Sequence, residues 1–290
     1  MPRSPQAPVA VVGLGATGSR IAGRLQDAAR DVIVWNRTSA AAATSPADAA
    51  RGAGTVIVMV SDPAALRSVS EGGDGLVSGA RAGLQLIVMS TVGPAAMSRL
   101  AGMLPASVDV LDAPVLGSLA EAEQGRLQIF VGGSQAAAAR AEPLLRELGT
   151  PVHVGSLGAA SAAKLVANHA LLGVITILGE TVALADELGL PREAAREVLA
   201  LTPLADQARR RHAVLDGQPF PARYRLALAR KDTDLMLAST ASAGSAQQML
   251  PVIRSWLAEA EDRGRGDDDY LALLNTIIDG RAGAGGRDAS

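Results

Sequence analysis

Short apolar runs recur through the first half of the chain at near-regular intervals. Residues 7–12, 31–35, 56–60, 84–89, 108–111 and 127–131 are small or β-branched and read as buried strands. Between them the apolar positions open to helical spacing, through about residue 28 and over 63–70, 94–104 and 135–148. Strand and helix in alternation predict an α/β fold with a parallel, doubly wound sheet. After Gly155 the pattern changes. One long helix is predicted over 159–188, apolar on most faces and so expected to be buried. Further helices are predicted over 191–201, 204–216, 224–243, 247–263 and 270–279, with Gly189 and Pro191 as stop and start signals. The tail 281–290 is rich in Gly and Ala and reads as unstructured. The expected organisation is a doubly wound domain over residues 1–157 and an all-α domain over 158–290, joined by the long helix.

Composition narrows the classes. Hydrophobic residues are 48% and charged residues 19%, as in soluble globular chains. A net charge of −2 carries no electrostatic footprint for nucleic acid or an anionic membrane. The chain has no cysteine, so disulfides, thiolate metal sites and a cysteine nucleophile are excluded, and no metal site is expected. The first residues make a poor signal peptide. The longest apolar run, 170–179, is ten residues, half of the roughly 20 that a membrane helix needs. A cytoplasmic protein is the expectation.

Charge chemistry changes the picture at two positions. Of 27 basic residues only Lys164 and Lys231 are lysine. Arginine keeps its proton in proteins, whereas lysine can give one up. Both lysines fall inside motifs.

The first strand runs into Gly13-Leu14-Gly15-Ala16-Thr17-Gly18 and then a helix. In that context the three glycines serve a tight turn, close approach of a pyrophosphate, and packing of helix on strand. The helix N-terminus binds the phosphates. The second strand ends in Asn36-Arg37-Thr38 with no carboxylate. An NAD site places an acid there for the ribose hydroxyl, whereas Arg37 can pair with a 2′-phosphate, helped by Asn36 and Thr38. The expected cofactor is NADP(H). Ser90-Thr91-Val92-Gly93-Pro94 sets hydroxyls and a helix start at the carboxyl edge of the sheet. In Leu116-Gly117-Ser118 the last two residues can offer N–H groups and a hydroxyl to a carboxylate, and a plain β-turn explains them equally well.

Gly158-x5-Lys164-x3-Asn168 opens the long helix. Four residues apart, Lys164 and Asn168 share a face. Together they can polarise a carbonyl and supply its proton. His169, next in sequence, reads as a packed or interface residue. Arg230-Lys231-Asp232-Thr233-Asp234 reads, alone, as a solvated charged face.

Taken in order, these segments resemble the β-hydroxyacid dehydrogenase family, over about residues 9–278. The family includes 3-hydroxyisobutyrate dehydrogenases and glyoxylate/succinic semialdehyde reductases. The resemblance implies a Rossmann domain, a long linking helix and a helical domain that pairs with a second subunit, so a homodimer. It implies Lys164 as catalytic lysine with Asn168 beside it on substrate. It implies Thr91 and Lys231 at the nicotinamide end, Val60 and Ser61 along the cofactor, and Leu116, Gly117 and Ser118 as the turn for a small anionic carbonyl or hydroxy substrate.

Three positions depart from that family. Leu116 stands where a serine is usual, Ser61 replaces a proline, and the segment between Thr38 and Val56 is short by one α/β unit. Asn36-Arg37-Thr38 also looks like the imine reductases. Those generally have Asp or Tyr in place of Lys164. An imine reductase-like enzyme and a non-catalytic NADPH-binding protein are the alternatives.

Overall fold

The computed structural model describes residues 7–38, 43–218, 220–241 and 247–282. The chain divides into two compact units, with the division at Leu165 and Val166.

The first unit begins β1 (Val9–Val12), α1 (Ala16–Asp27), β2 (Val32–Trp35), α2 (Pro46–Gly52), β3 (Thr55–Val58), α3 (Pro63–Ser70) and α4 (Leu76–Gly79). It continues with β4 (Gln85–Val88), α5 (Pro94–Gly102), β5 (Asp109–Asp112), β6 (Val115–Leu116), α6 (Leu119–Gln124), β7 (Leu127–Gly132), α7 (Gln135–Leu148) and β8 (Gly149–Gly155). Five strands pair in parallel in the order β2-β1-β3-β4-β5. Both faces are covered, so these strands are apolar on consecutive residues, and alternate side chains enter different cores. Val9, Val11, Ile57 and Ile87 meet Ile21, Leu25, Leu144 and Leu145 on one face. Ala10, Val12, Val56, Val58 and Val88 meet Leu66, Met97 and Leu100 on the other.

The far edge differs from the parallel pattern. β7 runs antiparallel to β5 and β6, and β8 runs parallel to β7. A parallel crossover takes a dozen or more residues, usually with a full helix. Between β5 and β7 the chain instead spends its length on β6 and the short α6, and returns antiparallel.

Five elements of the first unit were not read from the sequence: the short β6, α4 and α6, and also β8 and α2. β8 carries Pro151 and His153 and exposes Val152 and Val154, so it lacks the apolar signature of its neighbours. α2 occupies the segment expected to be short by an α/β unit. Ser45 caps it by accepting the Asp48 N–H at 3.0 Å, and Ala47, Ala49 and Ala50 are buried. The shortening therefore removes a strand but keeps a helix, as far as the described residues show; residues 39–42 lie outside them.

α8 (Ala159–Glu187) begins in the first unit and continues into the second. It is followed by α9 (Arg192–Ala200), α10 (Ala205–Arg210), α11 (His212–Leu215), α12 (Leu226–Thr240), α13 (Met249–Asp262) and α14 (Ala272–Ala282). The helix expected over 204–216 is broken at Arg211, and the ends expected for 224–243 and the tail fall partly outside the described residues. Leu172, Ile175, Leu178 and Val182 of α8 form the core of the second unit with Leu226, Ile253, Leu257 and Ile277. By length and composition alone α8 could cross a membrane. It was expected to be buried on most faces, yet Val166, Ile177 and Leu184 are exposed.

Candidate active site

At the carboxyl end of β1 the glycines have separate steric tasks. Gly13 sits at φ +99°, and a Cβ there would lie 2.3 Å from the Met59 carbonyl oxygen. A Cβ on Gly18 would lie 1.9 Å from the Gly13 carbonyl oxygen. Gly15 is exposed and faces open space, so it is the glycine that a ligand can approach. Gly15 is also the N-cap of α1, and no side chain caps that helix. The first amides of α1, at Ala16 and Thr17, are left for an external acceptor. These residues fit a dinucleotide pyrophosphate.

The neighbouring strand end supports the same loop. Asn36 Oδ1 accepts the Leu14 N–H at 3.5 Å, and its Nδ2 donates to Thr38 Oγ1 at 3.1 Å. Thr38 and Arg37 are exposed. With its Oγ1 accepting, the Thr38 hydroxyl hydrogen can be donated elsewhere. At the next strand ends the buried Ser90 Oγ accepts the Val60 N–H at 2.7 Å, tying the 59–61 segment to β4. Ser61 donates to Asp62 at 2.6 Å, and Asp62 caps α3 through the Ala65 N–H at 2.8 Å. Thr91 is half-buried beside Ser90.

Beyond β5 the chain anchors the helix that bears Lys164. The buried Asp112 accepts the Gly158 N–H at 2.9 Å with one oxygen and the Ser161 N–H at 2.6 Å with the other. A carboxylate in this place caps α8 and complements its dipole. Lys164 is half-buried about one and a half turns along.

The turn expected to bind an acid is already engaged. Ser118 donates its N–H to Glu121 Oε2 at 2.7 Å, and its hydroxyl donates to the same oxygen. Ser118 Oγ accepts the Ala120 N–H at 3.2 Å, completing a capping box at α6. The Ser118 hydroxyl, then the Ser118 amide, hold the Glu121 carboxyl below the usual range. Leu116 is half-buried and Gly117 exposed.

In the second unit a buried carboxylate gathers residues from two helices. Asn168 Nδ2 donates to Asp232 Oδ2 at 2.7 Å and to Tyr224 Oη at 3.3 Å. Tyr224 donates its hydroxyl to the same Asp232 oxygen at 2.5 Å. Lys231 Nζ lies 2.5 Å from Asp232 Oδ1. A carboxylate can only accept, so the Asn168 amide must turn its nitrogen inward, and its carbonyl oxygen is what remains for other contacts. Burial, then the Asp232 charge, push the Tyr224 phenol well above its ordinary range, so it stays protonated as a donor.

Asp232 and Tyr224 were missed from the sequence. The run 230–234 looked like a solvated face, but Asp232 and Thr233 are buried. The available signal was the lysine itself: a rare residue beside a carboxylate, in a chain that otherwise uses arginine.

An open glycine turn before an uncapped helix, in a doubly wound sheet, defines a dinucleotide-binding domain. Two family patterns cover nearly the whole chain. Residues 8–158 match the NAD binding domain of 6-phosphogluconate dehydrogenase, and residues 158–277 match the NAD-binding region of NADP-dependent 3-hydroxyisobutyrate dehydrogenase. The chain belongs to the β-hydroxyacid dehydrogenase family, whose members act on hydroxyl or carbonyl groups. It is 30% identical to an oxidoreductase, YfjR, of Bacillus subtilis (strain 168), covering 93% of this chain and 99% of that one. It is 27% identical to the 3-sulfolactaldehyde reductase of Escherichia coli (strain K12), covering 93% and 96%. In fold it is similar to the Mycobacterium tuberculosis 3-hydroxyisobutyrate dehydrogenase solved with L-serine, with a TM-score of 0.79, 23% identity and coverage of 94% and 99%.

Proposed function

We propose that the protein is an NADP(H)-dependent dehydrogenase or reductase of a small carbonyl or hydroxy compound, with Lys164 as general acid/base. The observation that carries this reading is the placement of Lys164 and Asn168 one turn apart on α8. Asp112 caps the start of that helix, and Asp232 fixes the amide of Asn168.

Bound nicotinamide supplies or takes up the hydride; the chain supplies protons and positions. In reduction Lys164 gives its ammonium proton to the oxygen that becomes a hydroxyl, and in oxidation it removes that proton. Asn168, with its carbonyl oxygen outward, accepts either from the Lys164 ammonium or from the carbinol hydroxyl, and so orients the proton in flight. On the family's pattern Thr91 and Lys231 serve the nicotinamide end, and Gly13 to Gly18 the pyrophosphate. The same pattern makes the substrate a β-hydroxyacid or aldehyde acid, as the name of the Escherichia coli relative suggests for that enzyme.

Arg37 with Asn36 and Thr38, and the lack of an acid at the end of β2, favour NADP(H) over NAD(H). A charge-assisted hydrogen bond is worth about 1.5–3 kcal/mol, so Arg37→Ala should weaken NADPH binding by roughly ten- to a hundredfold. NADH binding should barely change. Titration of both cofactors against both proteins checks this, and equal losses for the two would contradict it.

The exposed apolar residues Val166, Ile177 and Leu184 on α8 support a homodimer. Light scattering should give twice the chain mass, and Ile177→Glu together with Leu184→Glu should halve it. A wild-type monomer would remove this part of the reading.

A further inference from the structure

We infer that the Tyr224 hydroxyl is a positioning group: with Asp232 it fixes the plane of the Asn168 amide, and so the direction in which the amide carbonyl oxygen points. This deepens the reaction proposed above and rests on it.

Three hydrogen bonds close a ring, and chemistry alone sets their directions. A carboxylate only accepts, so Asn168 Nδ2 at 2.7 Å and Tyr224 Oη at 2.5 Å both donate to Asp232 Oδ2. The phenol has one proton, and Asp232 takes it. Tyr224 Oη is therefore an acceptor for Asn168 Nδ2, 3.3 Å away. The amide nitrogen has two hydrogens for these two acceptors. One hydrogen bond leaves an amide free to swivel about that bond, whereas two from the same nitrogen define its plane. An inverted amide would set its oxygen against the Asp232 carboxylate and against a phenol with no proton left to give. The oxygen left over is the one that the proposed reaction uses.

Tyr224 is itself held by contacts that do not involve its hydroxyl. The chain has only two tyrosines, and they meet: the rings of Tyr224 and Tyr270 lie 5.4 Å apart at 48°. Asp269 Oδ2 accepts the Arg223 and Tyr224 N–H groups at 2.8 and 3.1 Å. The Tyr224 carbonyl accepts the Tyr270 N–H at 2.8 Å. Backbone and ring are thus fixed by the segment that leads into α14, while the hydroxyl reaches Asp232 on α12 and Asn168 on α8. Burial first, then the Asp232 charge, keep the phenol protonated, as the ring of bonds requires. Lys231 pairs with the other oxygen of Asp232, so that contact does not depend on Tyr224.

Tyr224→Phe removes the oxygen alone and keeps the ring against Tyr270. With saturating NADPH and succinic semialdehyde, its single-turnover rate should fall about tenfold, as expected when a reacting group is held less accurately. NADPH affinity should not change. Added to Asn168→Ala, Tyr224→Phe should alter the rate by less than about twofold, because the side chain through which it acts is gone. A hydroxyl that served only to hold α8 and α12 together would slow both backgrounds by the same factor. Equal factors in the two backgrounds, or a Tyr224→Phe rate equal to that of the wild type, would overturn the proposal and leave the oxidoreductase reading standing. No NADPH oxidation by the wild-type protein with this aldehyde would overturn both.

Discussion

Replacing Lys164 by alanine should leave NADPH binding intact and lower kcat by at least roughly a hundredfold, the usual contribution of a positioned acid or base. The separation of effects follows from where the residue sits. The glycine turn joins β1 to α1 and Asn36 and Arg37 follow β2, and none of them depends on the side chain at 164. Nor should the fold suffer, because Lys164 is half-buried on a helix whose start is held by Asp112. Lys164→Arg should recover little, since a guanidinium keeps its proton. A small primary amine added to Lys164→Ala should restore part of the rate. An alanine variant that turns over normally, or loses NADPH affinity in step with kcat, would end the general acid/base role.

The second large effect is at Gly18. Its missing Cβ is the space that lets α1 lie on β1: an added methyl would meet the Gly13 carbonyl oxygen at 1.9 Å and the Gly13 carbonyl carbon at 3.0 Å. Both are backbone atoms of a residue that is itself pinned by Met59. Helix and strand must therefore separate. Gly18→Ala should cost about 3 kcal/mol, the upper part of the overpacking range, and lower Tm by roughly 6–12 °C. It should abolish NADPH binding as well. Gly15→Ala is the contrast, because a methyl there meets nothing within 4 Å. Gly15→Ala should keep its Tm and still lose NADPH affinity, as it fills the open side of the turn. Thermal melts and NADPH titrations on the two variants separate packing from ligand approach. Equal behaviour of the two would contradict the division of tasks.

What could be read from the sequence was whatever is encoded locally. The central strands β1, β3 and β4 are buried on both faces and the flanking β2 and β5 partly so, and their apolar runs announce them without context. Gly13, Gly15 and Gly18 occupy fixed positions between a strand and a helix. Lys164 stood out because arginine fills nearly every other basic position. What could not be read depends on distance or on competition. Asn168 and Asp232 are 64 residues apart, and only packing of α12 against α8 makes a charged run into a buried anchor. β8 hides behind Pro151 and His153. Glu121 had a legible signal, since Ser118 and Glu121 have the capping-box spacing. In the structure Ser118 makes that capping box with Glu121.

The central claim is that this chain moves a hydride from reduced cofactor while Lys164 delivers the proton. Single-turnover reduction of succinic semialdehyde with NADPH carrying deuterium at both C4 positions tests both halves together. Mass spectrometry of the alcohol should show one deuterium on carbon, formed fast by the wild-type protein and at least roughly a hundredfold more slowly by Lys164→Ala. Product without deuterium, or equal rates from the two proteins, would contradict the account.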